Sequence, residues 1–256
     1  MFDLRGKVAL VTGGGRGIGK ATVRLLAQEG MIVGLNDVNL ELAESAAKEL
    51  REEGLRVVPL PGDVSNRTAV LAMIDRVEGE LGPLWLLVNN AGVINTGQAA
   101  ELSEEAWDQA FEIDAKGVFL CSQAAVSKMI PRKGGRVVNI ASIAGVIVRT
   151  DEIAYCSAKA AVVHFTRCLA VEMAPYGITV NCICPGMTRT EMLIGTAKKR
   201  GMDLEAMEQL IPAGHMADEN DHAYLVAFFA STESRHVTGQ VVAVDGAQSL
   251  YHPFTK

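Results

Sequence analysis

Tyr155 and Lys159 stand four residues apart in Tyr155-Cys156-Ser157-Ala158-Lys159. At the start of a helix this spacing sets both side chains on one face, so a phenol and an ammonium can serve one site. The pairing has a chemical use. A free tyrosine has a pKa near ~10, and acid/base work near neutrality needs a reduction of roughly 3 units, about 4 kcal/mol. Positive charge nearby has the required sign, and lysine supplies it. The same spacing arises freely on surface helices, so the pair takes its meaning from the residues around it.

A second chemical feature lies near the N-terminus, where an apolar run leads into Thr12-Gly13-Gly14-Gly15-Arg16-Gly17-Ile18-Gly19 and then a helical pattern. Glycines there let the backbone turn tightly and approach a pyrophosphate, while the helix start offers unpaired N–H groups and a positive dipole end. The spacing is not G-x-G-x-x-G, because Ile18 stands where the third glycine would fall, and the Lys-Ser/Thr pair of a P-loop is missing. A purely structural turn is the competing reading, and the position between strand and helix favours a dinucleotide. About 20 residues on, the next apolar run ends at Asn36-Asp37, where an acid accepts hydrogen bonds from an adenosine ribose. A carboxylate also repels a 2′-phosphate, so NAD is expected over NADP. A loop acid or helix cap is the bland alternative, and Arg16 could assist a phosphate. The oxidised nicotinamide of such a cofactor would add positive charge beside Tyr155.

The elements that must position these groups follow from the hydrophobic pattern. Strands are predicted at 8–12, 31–35, 57–60, 84–89, 136–140, 179–184 and 240–244, mostly as continuous apolar runs suited to burial on both faces. Helical patterns lie between them at 20–29, 40–53, 69–80, 104–128, 158–174 and 218–231, with Gly30, Gly54 and Gly82 where helix ends need a left-handed residue. This alternation predicts an α/β fold: one Rossmann-like, doubly wound parallel sheet of about seven strands, helices on both faces, and a ligand crevice at the carboxyl ends of the strands. Residues 1–256 read as one domain, without repeat or linker. An insert at 193–217 breaks the rhythm.

Bulk properties exclude other classes. The 256 residues are 49% hydrophobic and carry a net charge of −6, with a pI near 5.4. Nucleic acid and anionic membrane surfaces both require clustered positive charge. The compact basic run Lys198-Lys199-Arg200 reads as a solvated helix face. The apolar run near Met1 is too short for a signal-peptide core or a membrane span. Five cysteines and five histidines show no zinc-like spacing, so no metal is expected and a reduced cytoplasmic setting fits. Cys182 and Cys184 read as alternate residues of a strand.

In this company the sequence resembles the short-chain dehydrogenase/reductase family over essentially the whole chain. The matching elements are the glycine-rich turn, Asp63-Val64, Asn89-Asn90-Ala91-Gly92, Ser142, Tyr155 with Lys159, Pro185-Gly186 with Thr190, and Asp245-Gly246. The resemblance implies that Tyr155 gives a proton to a carbonyl oxygen or takes one from an alcohol. Ser142 would hold that oxygen, and Lys159 would lower the tyrosine pKa and bind the nicotinamide ribose. Gly13, Arg16, Gly17, Ile18, Gly19 and Asp37 would hold the dinucleotide, with Asp63 and Val64 on the adenine. Asn90, Ala91 and Gly92 would line the cofactor side of the crevice, and Pro185, Gly186, Thr188 and Thr190 would receive the carboxamide. Asp114 stands where the family usually carries asparagine, whose backbone carbonyl holds a water leading from the lysine. At ~6 Å and an effective dielectric of ~20, an ionised Asp114 would disfavour tyrosinate by up to about 3 kcal/mol, whereas burial would favour its neutral form.

On the substrate side, Met187, Met192, Met202, Met207 and Met216 fall in or beside the insert, with Leu193, Ile194, Leu204, Leu210 and Ile211. The resemblance makes residues 190–217 a lid over the substrate. Methionine suits adaptable apolar surfaces, so a medium-sized, largely apolar secondary alcohol or ketone is expected, against ordinary packing of the lid on itself. Pro175 and Tyr176 stand where carrier-protein reductases of the family place a basic residue, although Arg132 and Lys133 remain. An NADP-dependent 3-oxoacyl-carrier-protein reductase is the alternative enzyme, and a non-catalytic dinucleotide-binding sensor the alternative class. The resemblance also implies a homotetramer, with helices 104–128 and 158–174 forming a four-helix dimer bundle.

Overall fold

The apolar runs become strands because both of their faces are covered. In the computed structural model, which describes residues 2–251 and only the backbone at 199 and 200, seven strands form one parallel sheet. They are β1 (Val8–Val11), β2 (Ile32–Leu35), β3 (Val57–Pro59), β4 (Leu84–Asn89), β5 (Gly135–Ile140), β6 (Ile178–Pro185) and β7 (Val241–Val244). Their order is β3-β2-β1-β4-β5-β6-β7, as the doubly wound pattern predicts. Every residue of β1, β5 and β6 is buried, whereas β7 at the edge is only partly covered.

The connections are α1 (Gly17–Gln28), α2 (Leu40–Glu52), α3 (Arg67–Arg76), α4 (Glu104–Ala110), α5 (Gly117–Met129), α6 (Ile153–Met173), α7 (Glu191–Arg200), α8 (Leu204–Glu208) and α9 (Glu219–Ala230). The two-residue period of the strands sorts the core into two layers. Ala9 and Val11 of β1 face α1, α2 and α9. Val8 and Leu10 face α3, α5 and α6. Gly30 and Gly54 take φ of 91° and 82° just past α1 and α2, while Gly82, with φ 116°, ends a π-helical turn over Val77–Leu81 that continues α3.

Beyond shifts of a few residues at element ends, the structure departs from the sequence pattern in larger ways. The helix expected at 158–174 begins at Ile153, and its cap residue Glu152 makes no side-chain capping bond; without a polar cap the start carries no sequence signal. The stretch expected as one helix at 104–128 contains a π-helical turn over Phe111–Lys116, a wider winding that places Asp114 inward. The insert is itself helical, as α7 and α8. Among the described residues no helix is long and apolar enough to cross a membrane. Lys198 is exposed on α7, while the side chains of Lys199 and Arg200 lie outside the described residues.

Candidate active site

A doubly wound sheet opens a crevice where its strand order reverses, here between β1 and β4. A cleft of about 400 Å³ lies there. It brings together all the predicted cofactor residues: Gly13, Arg16, Gly17, Ile18, Gly19, Asp37, Asp63, Val64, Asn90, Ala91, Gly92, Pro185, Gly186, Thr188 and Thr190, with Tyr155 and Lys159. Ser142 lines it too. Asp114 does not: it is fully buried behind Lys159, so it can act only through its neighbours.

The glycine-rich turn is built to let backbone come close. Gly13 has φ 61°, and a Cβ on Gly19 would sit 2.1 Å from the Gly13 carbonyl oxygen, which no side chain can do. The Asn90 amide donates to the carbonyls of Thr12 and Gly13 at 2.9 and 3.0 Å, while the Thr12 hydroxyl accepts the N–H groups of Asn90 and Ala91. These bonds lock the turn to the end of β4. Arg16 caps α1 without a side-chain bond, and the first turn of α1 carries no acid. The exposed N–H groups therefore suit the phosphates of a dinucleotide. At the far end, the Asn36 amide donates to Leu60 and Gly62 carbonyls, both at 2.9 Å. That ties the end of β2 to the chain before Asp63. Asp37 accepts the Gly15 N–H at 3.3 Å and the Asn39 N–H at 3.1 Å, which holds its carboxylate at the rim of the turn.

A buried polar chain supports the chemical end. The Asn89 amide donates to Ser122 Oγ and to Asn139 Oδ1, and Asn139 donates to Thr166 Oγ1, at 2.8 to 2.9 Å. It joins β4, β5, α5 and α6 beneath the cleft. Ser142 leaves β5 and accepts the Ala144 N–H at 3.1 Å, capping a tight turn over Ile143–Gly145. A Cβ on Gly145 would sit 2.8 Å from the Lys159 carbonyl, so glycine there allows this turn to lie directly on α6.

Tyr155, Lys159 and Ser142 are 9%, 4% and 6% exposed. Lys159 Nζ lies 5.6 Å from the centroid of the Tyr155 ring, 3.4 Å from the Ile140 carbonyl and 3.9 Å from Asp114 Oδ1. Burial would lower the lysine, but Asp114 and Tyr155 outweigh it and hold the ammonium above its ordinary range. Burial raises the Asp114 carboxyl against the pull of Lys159 and of the Val93 N–H, which it accepts at 2.8 Å. Burial likewise raises the Tyr155 phenol; Lys159 and a hydrogen bond with Ser142 pull it down, while Asp114 and Glu152 push it up, and the sum lies above a free tyrosine. The phenol by itself is thus a proton donor. Work as a base needs the further positive charge that an oxidised nicotinamide brings.

The segment leaving β6 lines one side of the cleft. Thr190 caps α7 by accepting the Leu193 N–H at 3.1 Å. Met187, Met192 and Leu193 line the cleft, whereas Met207, Ile211 and Met216 form a small core of the insert's own. Met187 and Leu193 also pack against that core, so the same residues serve the cleft wall and the packing of the insert. Arg149, Val93 and Ile94 also line the cleft. Val93 and Ile94 continue the Asn89–Gly92 stretch, whereas Arg149 belongs to no motif and only the fold brings it in. Among the described residues no group of three or more His, Cys, Asp or Glu could hold a metal.

Sequence reasoning missed His222. It is fully buried, with Nε2 2.8 Å from Thr188 Oγ1, and burial lowers its pKa from 6.5 to about 4. The folded state thus resists a proton that the unfolded chain accepts. Its share of stability is present above pH 6.5 and is lost as pH falls toward 4. Between about pH 7 and about pH 4.5, urea unfolding should lose about 2 kcal/mol less in His222→Gln than in the wild type. Equal losses would show that the folded ring is protonated.

Fold and cleft together define a class, a dinucleotide-binding oxidoreductase of the doubly wound α/β kind. A family model described as short chain dehydrogenase matches residues 7–201, and the chain belongs to that family. It is 36% identical over 254 residues to 2,3-dihydro-2,3-dihydroxybenzoate dehydrogenase of Bacillus subtilis, covering 96% of this chain and 97% of that one. It is 37% identical over 245 residues to the 3-oxoacyl-acyl-carrier-protein reductase of Thermotoga maritima, covering 95% and 98%. Actinorhodin polyketide ketoreductase with NADPH, solved with one phenylalanine changed to tryptophan, matches with a TM-score of 0.94 at 32% identity, covering 98% of this chain and 100% of that one. The protein is therefore an oxidoreductase acting on CH–OH or keto groups with a nicotinamide dinucleotide.

Proposed function

We propose that the protein is an NAD-dependent dehydrogenase or ketone reductase for a medium-sized, largely apolar secondary alcohol or ketone. The observation that carries this reading is the burial of Tyr155, Lys159 and Ser142 in the same cleft as the glycine-rich turn and Asp37. Bound there, the nicotinamide supplies or takes up the hydride. Ser142 orients the substrate oxygen by a hydrogen bond. Tyr155 gives its phenolic proton to that oxygen in reduction and removes it in oxidation. Lys159 stabilises the phenolate and binds ribose hydroxyls, and Met187, Met192 and Leu193 offer the substrate an apolar wall. We read residues 1–256 as one domain with a lid at about 190–217. The half-covered β7 suits an edge buried in a homotetramer, and free thiols suit the cytoplasm.

The deciding experiment follows absorbance of the reduced nicotinamide with NAD and NADP against a panel of secondary alcohols, and with their ketones in reverse. Turnover with NAD supports the reading. Faster turnover with NADPH on a carrier-bound 3-oxoacyl thioester favours the carrier-protein reductase, the activity named in the Thermotoga relative. Tight binding without turnover favours the sensor.

Asp114 bears on that last outcome. It pushes the Tyr155 phenol up, and oxidation requires the phenolate. Asp114→Asn should therefore move the rising limb of the pH profile for alcohol oxidation to lower pH. Turnover near neutrality should stay level or rise by up to about 10-fold. A 10-fold loss, or a limb moved to higher pH, would show that the carboxylate itself is required.

A further inference from the structure

His222 is a fully buried imidazole on α9, outside every motif, yet it touches the cleft through one residue. Its Nε2 lies 2.8 Å from Thr188 Oγ1, and Thr188 Oγ1 lies 3.1 Å from the Gly186 carbonyl. Its other ring nitrogen, Nδ1, is buried without a hydrogen-bond partner among the described residues. A neutral imidazole carries a single N–H. An orphaned buried N–H is costlier and rarer than an orphaned acceptor, so the proton belongs on Nε2, pointing at Thr188. The threonine hydroxyl must then donate to Gly186, its other neighbour. The relay runs from α9 through the hydroxyl to the backbone just after β6. It leaves Thr188 Oγ1 with acceptor capacity and no freedom to turn its proton. The same stretch is fixed on its other side, where the Arg189 N–H donates to the Ala217 carbonyl and the Ala217 N–H to the Met187 carbonyl, both at 3.0 Å.

We propose that His222 is a positioning residue for the carboxamide end of the cofactor: it orients the Thr188 hydroxyl as an acceptor and holds the backbone at 186–188 in the shape that receives an amide. The inference rests on the nicotinamide dinucleotide reading above and adds a residue to it. A ligand that ends at the ribose does not need this contact, whereas one that carries the carboxamide does. The role is thus separable from support of the fold.

The test compares NADH with ADP-ribose, which lacks the nicotinamide, by calorimetry on the full chain. His222→Leu should weaken NADH binding about 5- to 10-fold, the worth of one oriented hydrogen bond, and leave ADP-ribose within about 2-fold. Thr188→Val should do the same. The double variant should be no worse than either single one, because both break one relay. His222→Gln, whose amide keeps a donor, should bind NADH nearly as the wild type does. If His222→Leu fails to fold, Thr188→Val and His222→Gln decide, the first losing NADH selectively and the second not. Equal weakening of both ligands, additive losses in the double variant, or unchanged NADH binding would overturn the inference alone. A wild type that binds neither ligand would overturn the cofactor reading together with it.

Discussion

Tyr155→Phe is expected to lower turnover by about 10³-fold in either direction, within the range that a positioned acid/base contributes. Cofactor affinity should change by less than about 3-fold. Only an oxygen is removed, so the ring keeps its packing in α6, and the Lys159–Asp114 pair at 3.9 Å stays in place. What is lost is the proposed proton donor and acceptor; Ser142, which accepts the Ala144 N–H, has too high a pKa to replace it as a base. Steady-state rates with NADH titrations on the same preparation check this. Retention of more than about a tenth of the activity would move the acid/base role elsewhere, with buried Glu152 the first group to examine.

The second large effect concerns cofactor choice. Asp37→Ser should shift the ratio of kcat/KM for NADP over NAD by about 10²-fold toward NADP. The carboxylate lines the cleft and is held by the Gly15 N–H at 3.3 Å. A doubly charged 2′-phosphate there would meet a negative charge in a partly buried setting, at a cost of several kcal/mol that water only partly screens. Serine removes the repulsion and also loses the bond to a ribose hydroxyl. Part of the shift should therefore appear as a weaker KM for NAD. Arg16 lines the same cleft, and Asp37→Ser combined with Arg16→Ala should lose the gain for NADP. A wild type that already prefers NADP, or a variant whose preference does not move, would contradict the role given to Asp37.

The readable part of this protein is the part encoded over short distances. The strand runs are legible because both faces of each strand are buried, so a few consecutive apolar residues suffice as a signal. Gly13 and Gly19 are legible because no Cβ fits where they stand. The start of α6 is hidden because Glu152, at its cap position, makes no side-chain capping bond. The π-helical turn at Phe111–Lys116 leaves the apolar pattern of its helix almost unchanged. Met207 and Met192 share a residue type and a segment, yet one is in the insert's core and the other on the cleft wall, a difference set by where α7 and α8 land.

From sequence alone follow the parallel sheet, the crevice at its switch point, the glycine-rich turn and the phenol–ammonium pair. All four leave their signal in short stretches of sequence: continuous apolar runs, glycines where no Cβ fits, and a four-residue spacing. The tertiary structure decided which distant groups share the pair's surroundings. Asp114 comes to Lys159 from a different helix, Ser142 joins the same cleft from just beyond β5, and His222 reaches Thr188 across 34 residues of chain. It also set the charge balance, in which burial raises Tyr155 and Asp114 and lowers His222. Such shifts arise from desolvation and through-space distance, quantities that exist only once the chain has folded.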